Sequence, residues 1–179
     1  MTDLRQFKSQ RDIQAGLIRS LAEKQFNEVT VNDICTQALV GRSTFYHHYA
    51  DKYALLTEMV TQRATVFDQL LDQRVTDVTR DEPLLALYQQ LKGDAQAITC
   101  LLQVHEKDGD LSDRYLDSLA RHAQALLPQM TLAIPQAFAV ELYSTTALTA
   151  ISWALRHGQP EAISRFMNQL VNLVLNTQA

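Results

Sequence analysis

Residues 31–49 read VNDICTQALVGRSTFYHHY, and the reading of this stretch decides the fold. Thr30, just ahead of it, is a good helix N-cap, and Asp33 stands three positions later, where the reciprocal capping partner belongs. A helix is expected over Val31–Ala38, with Val31, Ile34 and Ala38 on one face at i, i+3 and i+7. Leu39-Val40-Gly41 breaks it, and a second short helix is expected over Arg42–Tyr49 with Gly41 as its N-cap. Phe45 and Tyr49 are four apart, so both can bury against Ile34, Ala38 and Val40. Arg42, Ser43, Thr44, Tyr46 and His47 are thereby turned to solvent. Two short helices, a tight turn and an exposed second helix make a helix-turn-helix, whose second helix reads the major groove of DNA. An ordinary solvated face explains the Ser and Thr of this row. It does not explain the absence of Asp and Glu, nor the run of rings Tyr46, His47 and His48.

The pattern stays helical on both sides. Ile13, Leu17 and Leu21 recur every fourth residue, which predicts a helix from Lys8 or Ser9 to Gln25, with Phe26 closing the same small core. Asp51 is the expected N-cap of a long helix that carries Leu55, Leu56, Met59, Phe67 and Leu71 and reaches Thr76. Asp81-Glu82-Pro83 restarts the chain, and Gly93-Asp94 ends one helix and caps the next. A further helix carries Leu111, Tyr115 and Leu119, and Pro135 and Pro160 open the last two. The expected class is all-α with about nine helices. A three-helix head over residues 1–52 precedes a helical regulatory and dimerisation domain over residues 53–179.

Composition agrees. Five Gly and four Pro in 179 residues are few for a sheet-and-turn protein, and 46% apolar content is too high for disorder. The net charge of −4 argues at first against a nucleic-acid partner, but its distribution does not. Residues 1–52 carry 7 Lys/Arg and 6 Asp/Glu, whereas residues 53–179 carry 9 and 14, so only the front of the chain suits a phosphate backbone. No apolar run approaches the ~20 residues of a membrane span, and a cytoplasmic location is expected. Cys35 and Cys100 have no partners at metal spacing, so buried thiols are expected and no metal or cofactor. Neither G-x-S-x-G, a Gly-rich phosphate loop nor H-E-x-x-H occurs, and catalysis is not expected.

The string Thr30-Val31-x-Asp33-Ile34-x-x-x-Ala38-x-Val40-x-Arg42-Ser43-Thr44-Phe45-Tyr46-x-His48-Tyr49-x-Asp51-Lys52-x-x-Leu55-Leu56 closely resembles the DNA-binding domain of the TetR family of regulators. The resemblance covers about the first 60 residues. It departs at Leu39, where many members have Gly, and at Gly41, where many have Ser. Gly41 is therefore expected to supply the φ > 0 position of the turn. Geometry and resemblance together imply a DNA-contacting set. Arg42, Ser43, Thr44 and His47 are expected at base edges, Tyr46 and His48 at phosphates beside the groove. Lys52 and Thr30, each at a helix start, are expected at further phosphates.

A single short reading helix contacts few bases, so a homodimer on double-stranded DNA is expected, its reading helices about 34–36 Å apart. Its interface is assigned to Ala147, Ala150, Ile163, Phe166, Met167, Leu170 and Val174, on a helix rich in small residues and on a last helix with an over-wide apolar stripe. An apolar or aromatic small-molecule effector would meet Phe67, Leu70, Tyr88, Leu101, His105, Tyr115, His122, Tyr143 and Trp153. The function implied is a ligand-responsive repressor reading a palindromic operator. The rival is a regulator of the same fold that works through a protein partner.

Overall fold

A computed structural model of the chain describes residues 2–75, 83–126 and 134–176; Asp81 and Glu82, expected to open a helix, lie outside them. The described residues are helical throughout, joined by turns. In order they form α1 (Thr2–Leu21), a 3₁₀ turn (Phe26–Glu28), α2 (Val31–Ala38), α3 (Arg42–His48) and α4 (Lys52–Val75). There follow α5 (Pro83–Leu91), a 3₁₀ turn (Lys92–Asp94), α6 (Ala95–Leu101), α7 (Leu111–Leu126), α8 (Gln136–His157) and α9 (Pro160–Asn176). The chain folds as two compact units, Met1–Arg63 with Cys100–Leu111, and Ala64–Thr99 with Ser112–Ala179.

In the first unit the apolar stripe of α1 is buried as its spacing requires, with Ile13, Leu17 and Ile18 out of solvent. The helix begins earlier than expected and ends at Leu21 rather than Gln25. It ends because Phe26 must enter the core: Gln25 is extended, and Phe26 sits buried edge-on to Tyr53 at 5.4 Å. α1 and α2 pack closely at Gly16, where a Cβ would lie 2.6 Å from the Ile34 carbonyl oxygen and 2.9 Å from Ala38 Cβ. Ile34, Phe45, Leu55 and Met59 complete this core, and burying a side chain of that size stabilises by roughly 1.5–3 kcal/mol.

The second unit is a helical layer in which α5, α8 and α9 pack on one another. The small residues of α8 explain the close approach: Ala139, Ser144, Ala147, Ala150 and Ala154 are all buried. Elsewhere in this unit Phe67 and Tyr115 stack face to face at 3.9 Å, and Arg121 pairs with Asp68 at 2.9 Å. α8 ends at Gly158, whose φ of 78° and ψ of −156° form a positive-φ, extended conformation open essentially only to glycine.

Candidate nucleic-acid interface

The site is built from the start of α2. Thr30 is the N-cap: its hydroxyl accepts from the Asp33 amide at 3.1 Å, and the Asp33 carboxylate accepts in return from the Thr30 amide at 2.9 Å. Lys24 adds an ion pair to Asp33 at 3.0 Å. These bonds, the Thr30 amide foremost, hold the Asp33 carboxyl down at about 2. The Thr30 hydroxyl also donates to Asp33 at 2.8 Å, so its polar capacity is taken up by the cap.

α2 ends in a Schellman turn. The Val40 amide donates to the Cys35 carbonyl at 3.1 Å and the Leu39 amide to Thr36 at 3.2 Å. This requires a left-handed residue at position 39, and Leu39 adopts it with φ 55° and ψ 40°. The expectation for Gly41 is thus corrected. Gly41 is extended at φ −75° and ψ 154°, and a Cβ there would meet only Ser43 Oγ at 3.7 Å. Leu39 bears the backbone strain itself and is 93% exposed, so no apolar contact of its own offsets the cost.

α3 presents the expected face. Phe45 is fully buried and Tyr49 nearly so, while Arg42, Ser43, Tyr46 and His47 are exposed and Thr44 and His48 half-buried. The face is partly organised by contacts among its own side chains. The Tyr46 ring stands edge-on to buried Phe45 at 5.5 Å, and Arg42 donates to the Tyr46 hydroxyl at 3.3 Å, one turn away. The His48 ring lies edge-to-face with His47 at 5.4 Å, and its Nε2 is 2.7 Å from Ser9 Oγ on α1. Lys52 is placed differently from a side chain reaching outward: its ammonium donates to the backbone carbonyls of Phe26, Asn27 and Val29.

Sequence reasoning missed the support beneath this face. Glu58 Oε1 accepts from Gln10 at 2.7 Å, from Gln14 at 3.2 Å, from the Tyr49 hydroxyl at 3.0 Å and from Gln62 at 3.0 Å. One carboxylate therefore joins α1, the end of α3 and α4, and Arg19 adds a bond from α1 to the Gln37 carbonyl. Burial, chiefly, pushes the Tyr49 phenol above its usual range. A polar residue on a helix face gives no sign in sequence of which distant helix will meet it; Gln10 and Gln14 lie 48 and 44 positions from Glu58.

The other expected residues scatter. Phe67 and Tyr115 fill the interior of the second unit as a stacked pair, with Leu70, Tyr88, His122 and Tyr143 half-buried in the same unit. Leu101 is buried in the first unit, and His105 is exposed there with Nδ1 2.7 Å from Asp110. Trp153 lines a groove of about 360 Å³ between α8 and α9, together with Ala150, Ile163, Phe166 and Met167. Ala147 is already covered within the chain; Leu170 and Val174 lie on α9, but their side chains are outside the described residues. Cys35 is buried and Cys100 half-buried, both with thiols raised by burial, and among the described residues no three His, Cys, Asp or Glu form a metal cluster.

Residues 13–59 match the family model described as "Bacterial regulatory proteins, tetR family". Among solved structures, the TetR transcriptional regulator from Streptococcus agalactiae 2603V is 25% identical, with a TM-score of 0.66 over 95% of this chain and 97% of that one. FadR from Bacillus subtilis, solved in complex with stearoyl-CoA, is 15% identical and shares the fold, with a TM-score of 0.64 over 94% of this chain and 99% of that one. Among curated proteins, the HTH-type transcriptional regulator YxbF of Bacillus subtilis (strain 168) is 36% identical over 70 residues. That match spans 38% of this chain and 18% of the relative's length.

Proposed function

From the premise that this chain belongs to the TetR family of bacterial regulatory proteins and is a DNA-binding transcriptional regulator, we propose that it works as a homodimeric, ligand-responsive repressor of a palindromic operator. Residues 1–52 serve as the DNA-binding part and residues 53–179 as the regulatory and dimerisation part. The observation that carries the reading is the exposed face of α3, on which Arg42, Ser43, Tyr46 and His47 stand clear of the core with no carboxylate among them. Arg42 meets a base edge, where an Arg–guanine pair is worth about 1–3 kcal/mol of discrimination. Ser43, Thr44 and His47 contact neighbouring bases, and Tyr46 and His48 contact phosphates beside the groove. Thr30 brings its amide end of α2 near a phosphate while keeping its cap.

The dimer is supported by apolar surface that one chain leaves open. Phe166 is 60% exposed and Trp153 37%, next to half-buried Ile163 in the α8–α9 groove. A two-fold pairing there places two reading helices on one duplex. The effector is an apolar or aromatic small molecule held among the aromatic residues of the second unit. It acts by favouring a dimer whose reading helices are wrongly spaced for successive grooves.

The test is a gel shift with duplex DNA from upstream of the protein's own gene, at low salt and without ligand. Wild type should bind, with affinity falling steeply as salt rises, and Arg42→Ala should weaken binding by about 1–3 kcal/mol while helicity is kept. Unchanged binding of both Arg42→Ala and Tyr46→Ala would exclude this face. The acidic residues 53–179 favour a second reading, a regulator acting through a protein partner, and binding indifferent to salt would select it.

A further inference from the structure

Tyr49 is the C-cap of α3, and its side chain does two separate things. The ring is buried in the core, its centroid 5.8 Å from that of Phe45. The hydroxyl adds nothing to that apolar packing, and burying a hydroxyl without a partner is costly. It has one: it donates to Glu58 Oε1 on α4 at 3.0 Å, and Gln14 Nε2 of α1 stands 3.5 Å from it. Glu58 is itself held. A carboxylate only accepts, and the same oxygen also receives Gln10 at 2.7 Å, Gln14 at 3.2 Å and Gln62 at 3.0 Å. These partners are a phenol and three amides, all neutral, so what the network contributes is direction rather than ion-pair attraction.

Direction matters because α3 has only seven residues. The apolar contacts of Phe45 and the Tyr49 ring are non-directional: they hold α3 to the core but let it roll about its own axis. A hydrogen bond weakens steeply away from its line, so the Tyr49–Glu58 bond resists that roll. Ser9 of α1 adds a second tie, its Oγ 2.7 Å from Nε2 of His48, the last residue of α3. Side-chain tips stand about 5–6 Å from a helix axis, so a roll of about 20° moves them about 2 Å. That is enough to break a base contact made at about 3 Å. We propose that the Tyr49 hydroxyl and the Glu58 carboxylate form a roll stop: two positioning residues that set the angle at which α3 offers Arg42 to a base edge, without touching DNA themselves. This rests on the DNA-binding reading and deepens it, because it ties affinity for DNA to two residues outside the contact set.

Tyr49→Phe removes the hydroxyl and keeps the buried ring; Glu58→Gln keeps the shape and weakens the acceptor. Affinity for the upstream duplex is measured by fluorescence anisotropy well below each variant's thermal midpoint, where the chain is folded. A merely structural bond would lower the midpoint and leave that affinity untouched. A roll stop predicts binding about tenfold weaker in each variant, the loss of one well-made contact. The slope of log affinity against log salt should stay as in wild type, because no phosphate contact is removed. The double variant should bind as Glu58→Gln does, since the two changes break one bond. Wild-type affinity in Tyr49→Phe, a reduced salt slope, or independent losses that multiply in the double variant each overturn the proposal.

A second measurement asks through which residue the stop acts. In an Arg42→Ala background the contact to be aimed is already gone, so adding Tyr49→Phe should cost much less than tenfold. An undiminished loss there overturns the proposal. Both residues of this comparison spare the Glu58 network on α1 and α4, so it decides even where Glu58→Gln fails to fold. A wild-type chain that leaves the duplex unbound removes the DNA-binding reading itself, an outcome visible before any variant is read.

Discussion

Leu39 shows how one residue can carry a turn at its own expense. Its left-handed backbone costs about 1–2 kcal/mol relative to glycine, and its exposed side chain recovers nothing by burial. Leu39→Gly should therefore raise stability, by about 0.5–1 kcal/mol after the greater flexibility of an unfolded glycine is subtracted, as a urea midpoint would show. Lower stability in that variant would mean the side chain makes a contact that the fold needs. Asp33 makes a second prediction at this scale. Its carboxyl is held at about 2 in the folded chain, below its ordinary value near 4. A depressed folded value contributes stability above the unfolded pKa, lost as pH falls from about 4 to about 2. Acid titration of wild type against Asp33→Asn should show a steeper loss in wild type across that window. Parallel curves would show that the capping box does not survive in solution.

Among the elements, the pairing of α1 with α2 depends on a missing side chain. A methyl group at Gly16 would meet the Ile34 carbonyl, which is backbone and cannot swing aside. Gly16→Ala gains up to about 1 kcal/mol of helix propensity but should lose about 1–3 kcal/mol to overpacking. Net destabilisation in thermal melts, with weaker DNA binding as α2 is displaced, is the expected result. A stabilised variant would show that the two helices are free to separate. Gly16 carries no signal in the sequence, since the same residue inside a helix pattern also reads as a tolerated defect. The apolar rhythm of Ile13 and Leu17 and the cap at Thr30 were legible, because spacing and capping are local. The end of α1 was not, because it was decided by where Phe26 had to be buried.

At the scale of the whole molecule, the exposed ring of Phe166 is the most economical probe of assembly. A charge there costs the folded chain little, since the ring is already in water, but it would be buried unpaired in a dimer. Phe166→Asp should sediment as a monomer at micromolar concentration and lose operator binding, while its circular dichroism matches wild type. A dimer in that variant would move the interface off the α8–α9 groove. The exposed face of α3 was legible from the sequence because its residues are contiguous. The grouping of Phe67 with Tyr115, and the separation of Leu101 and His105 from them, was not, since each depends on how helices distant in sequence meet.

The amino-acid string by itself determined the helical class, the span of α2 and α3 and which side of α3 faces water. These follow from interactions within a few residues: periodicity, caps and turn breakers. Tertiary structure alone decided that Leu39 and not Gly41 takes the left-handed turn, that Glu58 binds three helices through one oxygen, and that the Lys52 ammonium lies on three carbonyls 23 to 26 positions away. Those outcomes depend on which unsatisfied backbone and polar groups are brought within reach of one another, and chain separation hides that until the helices pack.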